Sequence, residues 1–98
     1  MFVVIWEYEV RPGSEPAFEA LYGNDGAWLA LFRQAPAFIG TELLRDEQTG
    51  WYLTIDRWRS AADYAAFLDA HAVQYSQVDA QGDALTIAER RLGRYATC

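Results

Sequence analysis

Cysteine is almost absent from this chain. The one thiol, Cys98, is its last residue, so an intramolecular disulfide is impossible and a Cys-based metal site is excluded. A reducing compartment is compatible with that usage, and a cytoplasmic location is the expectation. Basic charge is scarce too. Eight Lys and Arg stand against fourteen Asp and Glu, giving a formal net charge of −6. That balance disfavours nucleic acid, whose non-specific binding needs a basic footprint. It also disfavours docking on anionic membranes, and its plain consequence is solubility. No apolar run is long enough to span a bilayer. The chain opens on a strand-like run without a basic leader region, so no signal peptide is expected. A phosphate-binding glycine loop, a nucleophile elbow and a metal-ligand cluster are missing as well, and no metal site is expected.

What is present is apolar and aromatic. Hydrophobic residues make up 52% of the 98 positions and aromatics 15%, enough for one core and one domain over residues 1–98. The densest stretch runs from Trp51 to Tyr75. Residues Trp51 to Trp58 are rich in aromatic and β-branched types and read as a strand. Alternation puts Trp51, Leu53, Ile55 and Arg57 on one face and Tyr52, Thr54, Asp56 and Trp58 on the other. The first face suits packing under helices; the second suits the wall of a polar-spotted cavity. Ser60 then caps a helix, with Asp63 at the third position of a capping box. Tyr64, Phe67, Leu68 and His71 follow at helical spacing on one stripe, which turns His71 inward or to a rim.

The rest of the chain falls into alternating elements. Phe2 to Val10 is a strand with Val4, Trp6, Tyr8 and Val10 on one face, ended by Arg11-Pro12-Gly13. A helix begins at Gly13 or Ser14. Gly23 to Gly26 breaks it, and Asp25 is placed to cap a second piece, Ala27 to Gln34. Phe38 to Arg45 is a second strand, joined to the third by a polar turn, Asp46 to Gly50. Ala72 to Gln81 continues as helix or as a broken second piece, with Gly82 as its stop. Ala84 to Tyr95 is the last strand; simple alternation sets Leu85, Ile87, Glu89, Arg91 and Tyr95 against Thr86, Ala88, Arg90, Leu92 and Arg94.

The order β-α-β-β-α-β predicts an α+β, ferredoxin-like fold: one antiparallel sheet with helices on one face. The other sheet face is left open, with Tyr52 and Trp58, or Trp6 and Tyr8, standing in water. A second copy, sheet against sheet, is the simplest cover, so a homodimer is expected. The space between the two sheets is then the natural pocket for a small aromatic or hydrophobic ligand.

These residues also carry a resemblance. The run GTELLRD, then YLTIDRW with Ser60 close behind, then DYAAFL and a last LT…E strand, resembles the dimeric α+β barrel proteins. Within them it resembles the antibiotic biosynthesis monooxygenase-like group, over almost the whole chain. The resemblance implies a cofactor-independent oxygenase of an electron-rich polyketide- or quinol-like substrate. No metal or flavin is needed, because the substrate anion itself reduces oxygen. It implies a pocket Trp near the end of the third strand, where Trp58 stands, with Tyr64 and His71 as polar partners by location. Haem-degrading members use an Asn on the first strand; the one Asn here, Asn24, lies in a helix break, a departure from that activity.

The candidate catalytic residues are therefore His71, Trp58 and Asp56, with Tyr52, Tyr64 and Phe67 lining the substrate site. Each has a plainer reading. Trp58 also serves as a core or interface aromatic. His71 is able to act as a base near neutral pH, but a His at a helix end is often a partner of the helix dipole. Asp56 between aromatics needs a charged or hydrogen-bonded partner, and Arg90, Arg91 and Arg94 are the candidates. Three functions remain open: the oxygenase, a non-catalytic binding or structural homodimer of the same fold, and an isomerase or decyclase.

Overall fold

A computed structural model describes residues 1–98. Strand β1 (Phe2–Val10) is followed by α1 (Glu15–Tyr22) and α2 (Ala27–Phe32). Next come β2 (Phe38–Arg45), β3 (Tyr52–Trp58), α3 (Ala61–Ala70), α4 (Ala72–Asp83) and β4 (Thr86–Ala96). The four strands form one antiparallel sheet in the order β2-β3-β1-β4. This is the expected ferredoxin-like arrangement, with the helical segment after β1 broken into two pieces as predicted and the segment after β3 divided at His71.

Local chemistry sets the turns and caps. Gly13 sits at φ +87 and Gly50 at φ +75, turns that suit glycine. In the β2–β3 turn, Asp46 Oδ1 accepts from the backbone N–H of Gln48 at 2.7 Å and of Thr49 at 2.9 Å. These bonds hold its carboxyl below the usual range. Ser60 Oγ accepts from the Asp63 N–H at 3.1 Å and donates to the Asp63 carboxylate at 2.8 Å, so the predicted cap of α3 is present. Two other expectations fail. Gly26, not Asp25, is the N-cap of α2. Gly82 does not stop a helix; it lies inside α4, where a Cβ would strike the Tyr22 hydroxyl.

The largest correction concerns which sheet face the helices cover. Tyr52, Thr54, Asp56 and Trp58 are all buried beneath them, while Leu53, Ile55 and Arg57 face the open side. On β1 the covered side carries Phe2, Val4 and Tyr8, with Trp6 half-buried among them. Tyr52 and Trp58 are therefore not left in water, and neither are Trp6 and Tyr8. The reason is area. Each aromatic hides roughly 150–250 Å², so covering the aromatic face removes more apolar surface than covering the aliphatic one.

The core is continuous between sheet and helices. Trp58 and Phe18 are fully buried, and Tyr22 stacks on Phe18 with ring centroids 4.1 Å apart. The open face keeps Val3, Ile5, Leu53 and Ile55 half-buried and Leu44 and Tyr95 exposed, edged by the ion pairs Glu7–Arg90 and Glu42–Arg57. Strand β4 departs from simple alternation. Register shifts opposite Ile5/Trp6 and Glu9/Val10 place Glu89, Arg91 and Arg94 together on the covered side.

Candidate functional site

A cleft opens between the covered sheet face and the helices. Its floor is Trp6 and Tyr8 of β1, Thr54 and Asp56 of β3, Thr41 of β2 and Glu89 of β4. Its walls are Tyr22 at the end of α1, Trp28, Leu29 and Phe32 of α2, and Tyr75 and Asp79 of α4. The cavity they enclose is narrow, about 30 Å³ in volume.

Asp56 is the chemically unusual group. It sits in mid-strand, opposite Val4 on β1 and Thr41 on β2, and is 9% exposed. Thr41 Oγ1 donates to Asp56 Oδ1 at 2.7 Å. None of the expected arginines reaches it: Arg90 pairs with Glu7, and the Arg94 guanidinium lies over Phe2 and Tyr64. The carboxylate is thus buried without a counter-ion. Burial pushes its pKa up to about 6, with the Thr41 bond opposing the rise. Beside it, the Tyr8 and Thr54 hydroxyls share a 3.1 Å hydrogen bond. Burial lifts the Tyr8 phenol well above its usual range. The Trp28 indole N–H lies beside the Tyr22 hydroxyl without a well-formed hydrogen bond.

The other sequence candidates stand outside the cleft. Trp58 is wholly enclosed by Phe32, Phe38, Tyr64 and Phe67, and its indole N–H has no acceptor. Tyr64 and Phe67 belong to that same cluster. Tyr52 donates its hydroxyl to Glu19 and lies under the Arg45 guanidinium; burial and the Glu19 contact push its phenol up to about 12. His71 sits at the joint between α3 and α4. Its ring stacks on Phe67 at 4.7 Å, and Nδ1 is 3.2 Å from the Phe67 carbonyl. It borders a separate surface hollow with Gln34, Asp69 and Val73. Sequence reasoning therefore reached Asp56 and missed Trp6, Tyr8, Trp28, Tyr75, Asp79 and Glu89 as parts of one site. The signal available was the shared face of Trp6 and Tyr8; nothing in one sequence brings Trp28 and Tyr75 to the same cleft.

Fold and site define an α+β sheet-and-helix domain with an aromatic cleft built over a buried carboxylate. The antibiotic biosynthesis monooxygenase family model matches residues 1–77, and the chain belongs to that family. No curated protein matches it. Among solved structures it is similar to SnoaB, a cofactor-independent oxygenase from Streptomyces nogalater. The TM-score is 0.80 at 18% identity, covering 99% of this chain and 92% of that one. It is also similar to Rv0793 from Mycobacterium tuberculosis, with TM-score 0.72, 18% identity and coverage of 99% and 94%. For PA3566 from Pseudomonas aeruginosa the values are 0.69, 16%, 99% and 93%. At these identities the likeness is one of fold. No helix is long and apolar enough to cross a membrane.

Proposed function

We propose that residues 1–98 act as one domain, a homodimeric, cofactor-independent monooxygenase of a small electron-rich aromatic substrate. The observation that carries this reading is Asp56: a desolvated carboxylate without a counter-ion, pKa about 6, in the floor of an aromatic cleft. Such a group is ionised at neutral pH and strengthened as a base by its dry surroundings. In the proposed reaction it takes a proton from an activated CH₂ of the substrate. The resulting carbanion adds to O₂ and is protonated to a hydroperoxide. Loss of water leaves a carbonyl, so one oxygen atom enters the substrate and the other leaves as water. The Thr54 and Tyr8 hydroxyls and the Trp28 N–H are the proposed hydrogen-bonding groups. Trp58, with Tyr64 and Phe67 behind it, keeps Asp56 dry; Tyr52 fixes the other end of the floor, and His71 serves as a helix-end partner. Dimerisation through the open sheet face is supported by its half-buried aliphatic residues.

The narrowness of the cleft favours one other reading, a binding protein whose own Trp and Tyr side chains fill the space. Oxygen uptake by metal-free protein with anthrones, quinols and catechols separates the two. The oxygenase predicts turnover that falls at least about 100-fold in Asp56→Asn, the usual scale of general base catalysis. His71→Ala should stay within about twofold of wild type, as expected for a residue outside the cleft. Turnover unchanged in Asp56→Asn would remove the base from the scheme. Ligand binding without oxygen uptake would establish the binding protein.

A further inference from the structure

The rim of the cleft carries charge of one sign. Asp79 and Glu89 line it, and Asp83 completes a cluster whose nearest carboxylate oxygens lie within 4.8 Å of one another. No Lys, Arg or His lines the cleft. The chain's ion pairs use Glu7, Glu42 and Asp63, so none of these three rim acids is in a salt bridge. Burial, reinforced by the neighbouring carboxylates, pushes the Asp79 and Glu89 carboxyls upward.

Acidic clusters are common on surfaces, but this one closes a cavity with two further features. Aromatic side chains face the same space: Trp28 meets Tyr75 edge-on at 4.9 Å, and Tyr22 and Trp6 stand beside them. Aromatic rings attract cations through their faces, most strongly where water is excluded. The floor also holds Asp56, nine-tenths buried, with one oxygen bonded to Thr41 and the other without a hydrogen-bond partner. An anionic or neutral occupant would leave the rim repulsion unrelieved. A positive group at the rim would relieve it and face rings as well as carboxylates.

We infer that the ligand of this cleft carries a protonated amine: a flat hydroxylated aromatic whose ring lies among Trp6, Tyr8 and Trp28 and whose ammonium arm sits between Asp79 and Glu89. This deepens the proposed function, on which the placing of a hydroxylated ring over Asp56 rests. The amine sets the direction of entry, arm at the rim and reactive carbon at the floor.

The test is calorimetric titration of the full chain with three matched probes: 6-(aminomethyl)-2-naphthol, 6-methyl-2-naphthol and 6-hydroxy-2-naphthoic acid. The aminomethyl compound should bind at least tenfold more tightly than the methyl compound, and the carboxylate most weakly. In an Asp79→Asn/Glu89→Gln double variant the ratio of amine to methyl affinity should fall to within twofold, and 0.5 M salt should reduce the wild-type ratio. Equal binding of the amine and methyl probes overturns the inference while leaving the aromatic-site reading in place. A ratio that survives the double variant overturns it too. No binding of any probe overturns both.

Discussion

Replacing Asp56 by Asn should make the protein more stable at neutral pH while removing its proposed chemistry. The sign follows from the raised carboxyl. A group whose folded pKa lies above its unfolded value binds protons more tightly when folded, so its ionisation opposes folding. Well below pH 3.8 both states are protonated and Asp56 carries no penalty. Between the ordinary value of 3.8 and the folded value of about 6 the penalty grows, and above that it is fully present. The rise is about two pKa units, each about 1.4 kcal/mol, so the penalty at pH 7.5 is about 3 kcal/mol. Asn keeps an oxygen for the Thr41 hydroxyl and has no charge to desolvate. Urea unfolding of both proteins from about pH 3 to 7.5 should show a difference near zero at the acid end, growing to about 3 kcal/mol at the neutral end. For a domain of this size that corresponds to a gain of roughly 12–24 °C in Tm. The oxygen-uptake profile of the wild type should rise through about pH 6 over the same range. A difference that does not change with pH, or a variant less stable at pH 7.5, would refute the claim that an unpaired carboxylate is buried there.

Three more outcomes follow from the packing. Gly82→Ala, normally a helix-stabilising change of up to about 1 kcal/mol, should instead destabilise by about 1–3 kcal/mol in thermal melts. The new methyl strikes the buried Tyr22 hydroxyl, and Tyr22 is held in place by stacking on Phe18. Ser60→Ala should lower stability by about 1 kcal/mol, because the Asp63 N–H loses its acceptor at the start of α3; an unchanged urea midpoint would mean the cap is redundant. Ile55→Arg, in the middle of the open sheet face, should convert a sedimenting dimer to a folded monomer. A wild type that already sediments as a monomer at tens of micromolar would remove the dimer from the proposal.

Much of the architecture was legible in the residues because it is written in short-range signals. The alternation of Phe2 to Val10, the polar Asp46 to Gly50 turn and the Ser60–Asp63 cap each depend on neighbours within a few positions, and each appears where periodicity and turn chemistry put it. The pairing of Thr54 with Asp56 on a polar-spotted face was legible for the same reason. Which way that face points was not. Alternation names two faces without ranking them, and the ranking came from the aromatic area that α1 to α4 bury against Tyr52 and Trp58. Strand β4 misled for a related reason: its register shifts depend on pairing with β1, which no local pattern records. The site lay furthest from the sequence. Its lining residues come from every strand and from α1, α2 and α4, and an isolated Asp in a strand says nothing about its counter-ion. Only the folded chain decided that Arg90 turns to Glu7 and Arg94 to the Phe2 and Tyr64 rings, leaving Asp56 dry and unpaired. Burial and charge partners are properties of three-dimensional neighbourhoods, and those form only when distant segments meet.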